Sequence, residues 1–149
     1  MRTSLDSHGL RKLLPYVYPF LLIDYIENYT AGKTITAVKN ITVNEWPFTD
    51  AGCLLTFYPE TLLIEAAAQS ALALYYLTFA VAQPRFSPII GRVYASFSAQ
   101  VIAGDNLKLK VAAEKFMRQA GCATINIFSK GSQCAEVKLL YGVRGGSLW

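Results

Sequence analysis

Glu65 and Gln69 stand four residues apart inside the run TLLIEAAAQSALALYYLTFAVAQ, in otherwise apolar company. At that spacing two side chains share one face of a helix, a turn apart. A carboxylate among alanines and leucines is costly to bury charged, so Glu65 must be hydrogen-bonded, protonated or open to a wet pocket. In a wet pocket it can take and give protons, which makes it the candidate catalytic residue. Gln69 either satisfies Glu65 or caps a neighbouring strand. The stretch before the helix, NEWPFTDAGCLLTFYPE, brings Phe57, Tyr58, Pro59, Glu60 and Thr61 to its start. Amides freed at a helix start, together with the helix dipole, favour negative charge. The chain has one histidine, His8, expected on the surface of a short first helix.

The elements that position these residues are legible from pattern. Residues up to about Leu14 suggest a short helix capped by Ser4 or Asp6 and ended by Pro15. Leu21 to Ile26 leans towards strand, Ala31 to Lys33 is a turn, and the β-branched residues from Thr34 to Val43 predict a second strand. Trp46, Pro47, Asp50 and Gly52 mark a loop. Pro59 suits a first helical position, Glu60 favours the positive end of the dipole, and Pro84 stops the helix after Gln83. Strands follow at IIGRVYASFSAQVI, LKLKVAAEK, ATINIFS and CAEVKLLYGV, where Leu107, Leu109, Val111 and Ala113, then Ala123, Ile125 and Ile127, then Ala135, Val137, Leu139 and Tyr141 alternate with polar neighbours. The helix is long and apolar enough to be a transmembrane candidate. Glu60, Glu65 and Gln69 in its first half, and the sheet that follows, favour a buried core helix with no membrane span.

Composition bounds the answer. A chain of 149 residues is one domain, 1–149, able to bury roughly two-thirds of its unfolded surface. Its residues are 53% hydrophobic and 16% charged, so it holds a fully buried helix or a large apolar interface. The net charge of +4 is spread along the chain with no basic run, which argues against a nucleic-acid surface. Cys53, Cys122 and Cys134 match no metal spacing and are expected as reduced thiols of a cytoplasmic protein. The first residues carry no secretory pattern. No metal or cofactor is expected.

One long helix with a strand before it and meandering strands after it gives an α+β domain. An antiparallel sheet curled around such a helix is the hot-dog fold. Here the chain resembles the β-hydroxyacyl-ACP dehydratases of bacterial fatty-acid synthesis. LLPYVYPFLLID is similar to their L-P-H-R-Y-P-F-L-L-V-D opening, and AVKNITVNE to their A-(I/V)-K-N-V-(T/S)-x-N-E strand. LLIEAAAQSA resembles their L-I-(I/L)-E-A-(M/L)-A-Q helix, and QVIAGDNLKL their P-V-V-P-G-D-x-L segment. These matches fall in order between Leu13 and Tyr141.

The resemblance implies a homodimer or higher even oligomer, an acyl thioester (carrier-protein or coenzyme A bound) as substrate, and an apolar tunnel at the dimer interface for its acyl chain. It also implies dehydration by a His from one subunit and a Glu from the other. Glu65 keeps the family's Glu and Pro59 its loop proline, while the family's His position falls on Ala51 and a loop glycine on Glu60. Tyr16 and Val17 replace His-Arg in the opening motif, and Ser96, Ser98 and Ala99 replace basic residues that help hold the carrier. Weak or lost dehydration is therefore expected. Two alternatives stay open: a thioesterase using Glu65, or using Asp50 in a stretch like the D-x-x-G of hot-dog thioesterases, and a non-catalytic acyl-binding subunit. A chain with the Glu and without the His also suits a heterodimer with a complete paralogue. Phe57, Tyr58, Pro59, Glu60, Thr61 and Gln69 are the candidate substrate-binding residues, and Tyr16, Tyr18, Phe57 and Tyr58 are expected as packing or tunnel wall.

Overall fold

The computed structural model describes residues 3–49, 56–80 and 88–143. Within them, strand β1 (Thr3–Leu5) leads into helix α1 (Ser7–Leu13), then β2 (Tyr25–Thr30), β3 (Thr34–Asn40), α2 (Trp46–Thr49) and α3 (Glu60–Phe79). Four longer strands follow: β4 (Pro88–Phe97), β5 (Asn106–Phe116), β6 (Ala120–Ser129) and β7 (Ser132–Val143). Among the described residues the strands form one sheet in the order β1-β2-β3-β5-β6-β7-β4. Every neighbouring pair is antiparallel. The sheet wraps α3, as the hot-dog expectation requires.

Local chemistry explains most boundaries. Asp6 is the N-cap of α1, its carboxylate accepting the Gly9 amide at 2.8 Å. Lys130 (φ 51°) and Gly131 (φ 79°) are both left-handed, the requirement of a two-residue hairpin turn between β6 and β7. Ala80 turns left-handed (φ 48°) and ends α3. The alternation expected for β5, β6 and β7 holds along their middles: Leu107, Leu109, Val111, Ala123, Ile125, Ile127, Ala135, Val137 and Leu139 are all buried, while Ala113 and Tyr141 are half-buried.

Several expectations shift. β1 is short and exposed, with no apolar alternation to betray it. The run at Leu21–Asp24 is irregular, and the strand begins only at Tyr25. β3 stops at Asn40, and the predicted loop contains the helical turn α2. Pro59 precedes the helix as its cap residue, so the helix proper opens on Glu60. α3 stops at Phe79, short of the expected Gln83, because Ala80 takes the left-handed conformation; residues 81–83 lie outside the described residues.

The core helix is apolar on nearly every side, and α3 packs against β3, β5, β6, β4 and β7. Its small polar side chains satisfy themselves locally: the Ser70 hydroxyl donates to Ala66 O at 2.8 Å, and the Thr78 hydroxyl to Leu74 O at 2.6 Å. Thr78 Oγ1 also accepts the amide of Gly32, pinning the β2–β3 turn to the helix end at 2.8 Å.

A buried carboxylate organises the loop before β5. Asp105 accepts the Ile102 amide at 3.0 Å and faces the Lys130 ammonium at 3.3 Å, while its own backbone carbonyl accepts the Ile41 amide at 2.9 Å. Burial alone would raise its pKa, but the Ile102 amide and Lys130 outweigh that and hold it below the usual carboxylate range. A carboxylate with a depressed folded pKa contributes stability above its unfolded value, near 3.9, and loses it as pH falls through the folded value. Asp105→Ala should therefore cost about 1–3 kcal/mol at pH 7. In urea titrations from pH 7 to pH 2, the gap between parent and variant should close at the acid end.

Candidate active site

Gln69 is the most constrained polar side chain of α3, at 1% exposure. Its Oε1 accepts the Leu22 amide at 2.9 Å, and its Nε2 donates to Phe20 O at 2.6 Å and to Glu65 Oε1 at 3.0 Å. The amide thus closes a ring on the irregular segment Phe20–Leu22, whose backbone groups have no strand to pair with. The two roles open to Gln69 in the sequence are both filled by one side chain. A planar amide with both ends anchored also fixes the Glu65 carboxylate against one direction.

Glu65 is half-buried and opens into a cavity of about 80 Å³. One wall is a lane on α3 made by Glu65, Ala68, Leu72 and Tyr75, at the spacing of one helical face. The other comes from the sheet: Ile90 on β4, Ala123 on β6, and Leu139 and Tyr141 on β7. Tyr16 lines the same space. Burial, then the negative charge of Glu65 and the phenol of Tyr76, push the Tyr16 phenol up, so it stays protonated and can donate a hydrogen bond. A half-buried carboxylate, a neutral phenol and an apolar lane can hold an acyl group and move a proton next to it.

The other predicted site residues lie apart from this cavity. Glu60 and Thr61 are exposed on the first turn of α3, one turn before Glu65, and Pro59 caps it. Phe57 is partly exposed. Tyr58 is buried with its ring 6.0 Å from Phe48 and beneath the Lys39 ammonium at 5.3 Å. Burial, then the Glu45 carboxylate, push its phenol well up. Lys39 itself is 3% exposed and pairs with Glu45 at 2.9 Å, so the strand lysine packs and anchors the loop after β3. Tyr18, 88% exposed, stands outside the cavity. Asp50, Ala51, Gly52 and Cys53 lie outside the described residues. His8 is exposed on α1, as expected.

Sequence reasoning missed Tyr75, Tyr141 and Ile90 as cavity wall. The i, i+3, i+7, i+10 series from Glu65 would have found Ala68, Leu72 and Tyr75. Alternation puts Tyr141 on the inner face of β7, but nothing local marks it or Ile90 as cavity wall, where strand pairing brings them. Among the described residues no group of three His, Cys, Asp or Glu side chains could hold a metal ion.

Known proteins resemble this chain in sequence and in fold. The model of the FabA-like domain family matches residues 14–138. The chain is 38% identical over 148 residues to the 3-hydroxyacyl-(acyl-carrier-protein) dehydratase FabZ of Burkholderia mallei, covering 96% of this chain and 94% of that one. To the enzyme of the same name from Janthinobacterium sp. (strain Marseille) it is 40% identical over 110 residues, 72% of this chain and 70% of that one. Among solved structures, the dehydratase heterocomplex ApeI:P of Xenorhabdus doucetiae shares the fold at a TM-score of 0.74 and 12% identity, covering 91% of this chain and 90% of that one.

Replacing Gln69 by Leu leaves Phe20 O and the Leu22 amide without their partner. It should lower stability by about 1–3 kcal/mol. Amide hydrogen exchange at Leu22 should accelerate well beyond that at Ile125 in the core of β6.

Proposed function

This chain belongs to the FabA-like domain family, and on that premise we propose that it binds an acyl thioester with the acyl chain in the cavity beside Glu65, as a dehydratase-type protein whose dehydration step is weak. The observation that carries this reading is the opening of Glu65 into a cavity otherwise lined by apolar and aromatic side chains. Dehydration of a β-hydroxyacyl thioester removes an α-proton and protonates the departing hydroxyl. Glu65 supplies one group able to do this. Ala51, at the family's His position, can neither accept nor donate a proton.

Association is the second part of the proposal. β4 is the last strand of the sheet, paired only with β7 among the described strands. Val93 and Ala95 pair with the buried Leu139 and Val137, so they share the helix-side face, yet both remain exposed. Ile89, Ile90 and Tyr94 are exposed on the same strand. A second subunit joining at this edge would cover that face and extend the sheet. The partner is a second copy or a complete paralogue, whose His would face this chain's Glu65. We also propose a cytoplasmic location, a reading supported by the free thiols of Cys122 and Cys134. Hydrolysis of the thioester with Glu65 as base is the second reading, since one carboxylate can activate water without a histidine.

Incubating the pure protein with β-hydroxyacyl, enoyl and saturated acyl thioesters separates these outcomes. Dehydration should run on the order of a hundredfold or more below that of a complete family member. Full turnover on a β-hydroxyacyl carrier substrate contradicts the proposal. Any hydrolysis should vanish in Glu65→Gln with the fold intact; loss in Asp50→Asn instead assigns it to Asp50.

The composite site has its own test. When the chain is co-expressed with a complete dehydratase from the same cell, a mixed dimer should form, and Glu65→Gln in this chain alone should abolish activity at its one complete site, the opposite site carrying Ala51. Absence of the mixed dimer, or unchanged activity, contradicts the paralogue pairing.

A further inference from the structure

At the end of the cavity away from Glu65 along α3, the lining is the aromatic rings of Tyr75 and Tyr141. Tyr75 on α3 lies 5.5 Å from Tyr141 and 4.9 Å from Phe79, ring centre to ring centre, and Phe116 lies 5.3 Å from Tyr141. Phe116 and Phe79 stack at 6.0 Å, which completes a four-ring block. Two hydrogen bonds fix it in place. The Tyr75 hydroxyl donates to Arg118 O at 2.7 Å and the Tyr141 hydroxyl to Met117 O at 2.9 Å, both in the turn between β5 and β6. Beside them Gly121 has no side chain: a Cβ there would sit 2.6 Å from the Tyr141 hydroxyl and 2.3 Å from Lys115 O. The space that a side chain at 121 would need is occupied by the Tyr141 phenol.

Resting on the acyl-thioester reading above, we infer that Tyr75 and Tyr141 form the floor of the acyl pocket and restrict this protein to short acyl chains. Two magnitudes decide between short and long. From Glu65 to Tyr75 the helix rises about 15 Å, at 1.5 Å per residue, which by length alone would admit a long chain. The cavity of about 80 Å³ is the tighter limit. A cavity of about 150 Å³ takes a benzene-sized ligand, so one of this volume holds roughly three carbon-sized groups. A longer chain has to displace rings that pack on one another and are pinned to backbone carbonyls. That arrangement resists displacement more than a flexible aliphatic wall does.

The test is a binding series on the purified protein, in whatever oligomer it forms, with saturated acyl-pantetheine thioesters from butanoyl to dodecanoyl, read by calorimetry. Affinity for the parent should climb about fourfold for each methylene accommodated and stop climbing by hexanoyl. Tyr141→Ala should move that break to longer chains by two carbons or more. Tyr141→Val puts a strand-favouring β-branched residue there and serves if the alanine variant does not fold; it should move the break in the same direction. A parent affinity that climbs steadily to dodecanoyl overturns the inference, as does a break that stays at hexanoyl in both variants. Failure of every thioester to bind parent and variants alike overturns the acyl-thioester reading itself, and this inference with it.

Discussion

α3 is apolar on nearly every side, and a single curled sheet encloses only part of a helix's circumference. The sheet covers α3 most fully along β3 and β5 and least along β4 and β7. On the thin side two things follow from the same shortage of cover. A cavity is left between the helix lane and the inner face of β4 and β7, and the edge of β4 keeps apolar residues in solvent. The polar residues of α3 are distributed accordingly. Ser70 and Thr78 turn to their own helix carbonyls, Gln69 reaches the Phe20–Leu22 segment, and Glu65 faces the space that remains. The carboxylate is tolerated in the helix because it sits where the enclosure is incomplete.

Gln69 makes this arrangement specific. Its three hydrogen bonds join the irregular opening segment, the helix and the carboxylate in one buried network. Such a network rigidifies a site when every member is satisfied. Tyr16 follows the same segment into the cavity wall, where its protonated phenol stands beside Glu65.

Much of this was legible in the sequence because it is periodic or local. Leu107, Leu109 and Val111 alternate with lysines and glutamate, and a half-buried strand can be inferred from that pattern alone. Asp6, Lys130 and Gly131 announce a cap and a turn through their own chemistry. Glu65 and Gln69 were identifiable because charge and amide are rare in such a helix. What escaped was non-local. β1 carries no alternation, and it forms because β2 offers it an edge. Tyr141 becomes a floor only because β7 pairs beside Gly121 on β6 and places it against Tyr75. Tyr58, expected against substrate, packs under Lys39 because Glu45 draws that lysine inward, a pairing that sequence separation does not advertise.

The central claim is that Glu65 faces the reacting end of an acyl thioester whose chain lies between α3 and the β4–β7 end of the sheet. A crystal structure with a non-hydrolysable short-chain acyl-pantetheine analogue tests it most directly. The account predicts density for the acyl chain against Ala68, Leu72 and Leu139, with the carbonyl end at the Glu65 carboxylate and Tyr75 and Tyr141 unmoved at the other end. Density for the acyl chain elsewhere on the protein, or a chain that enters the cavity with its carbonyl end away from Glu65, would contradict it.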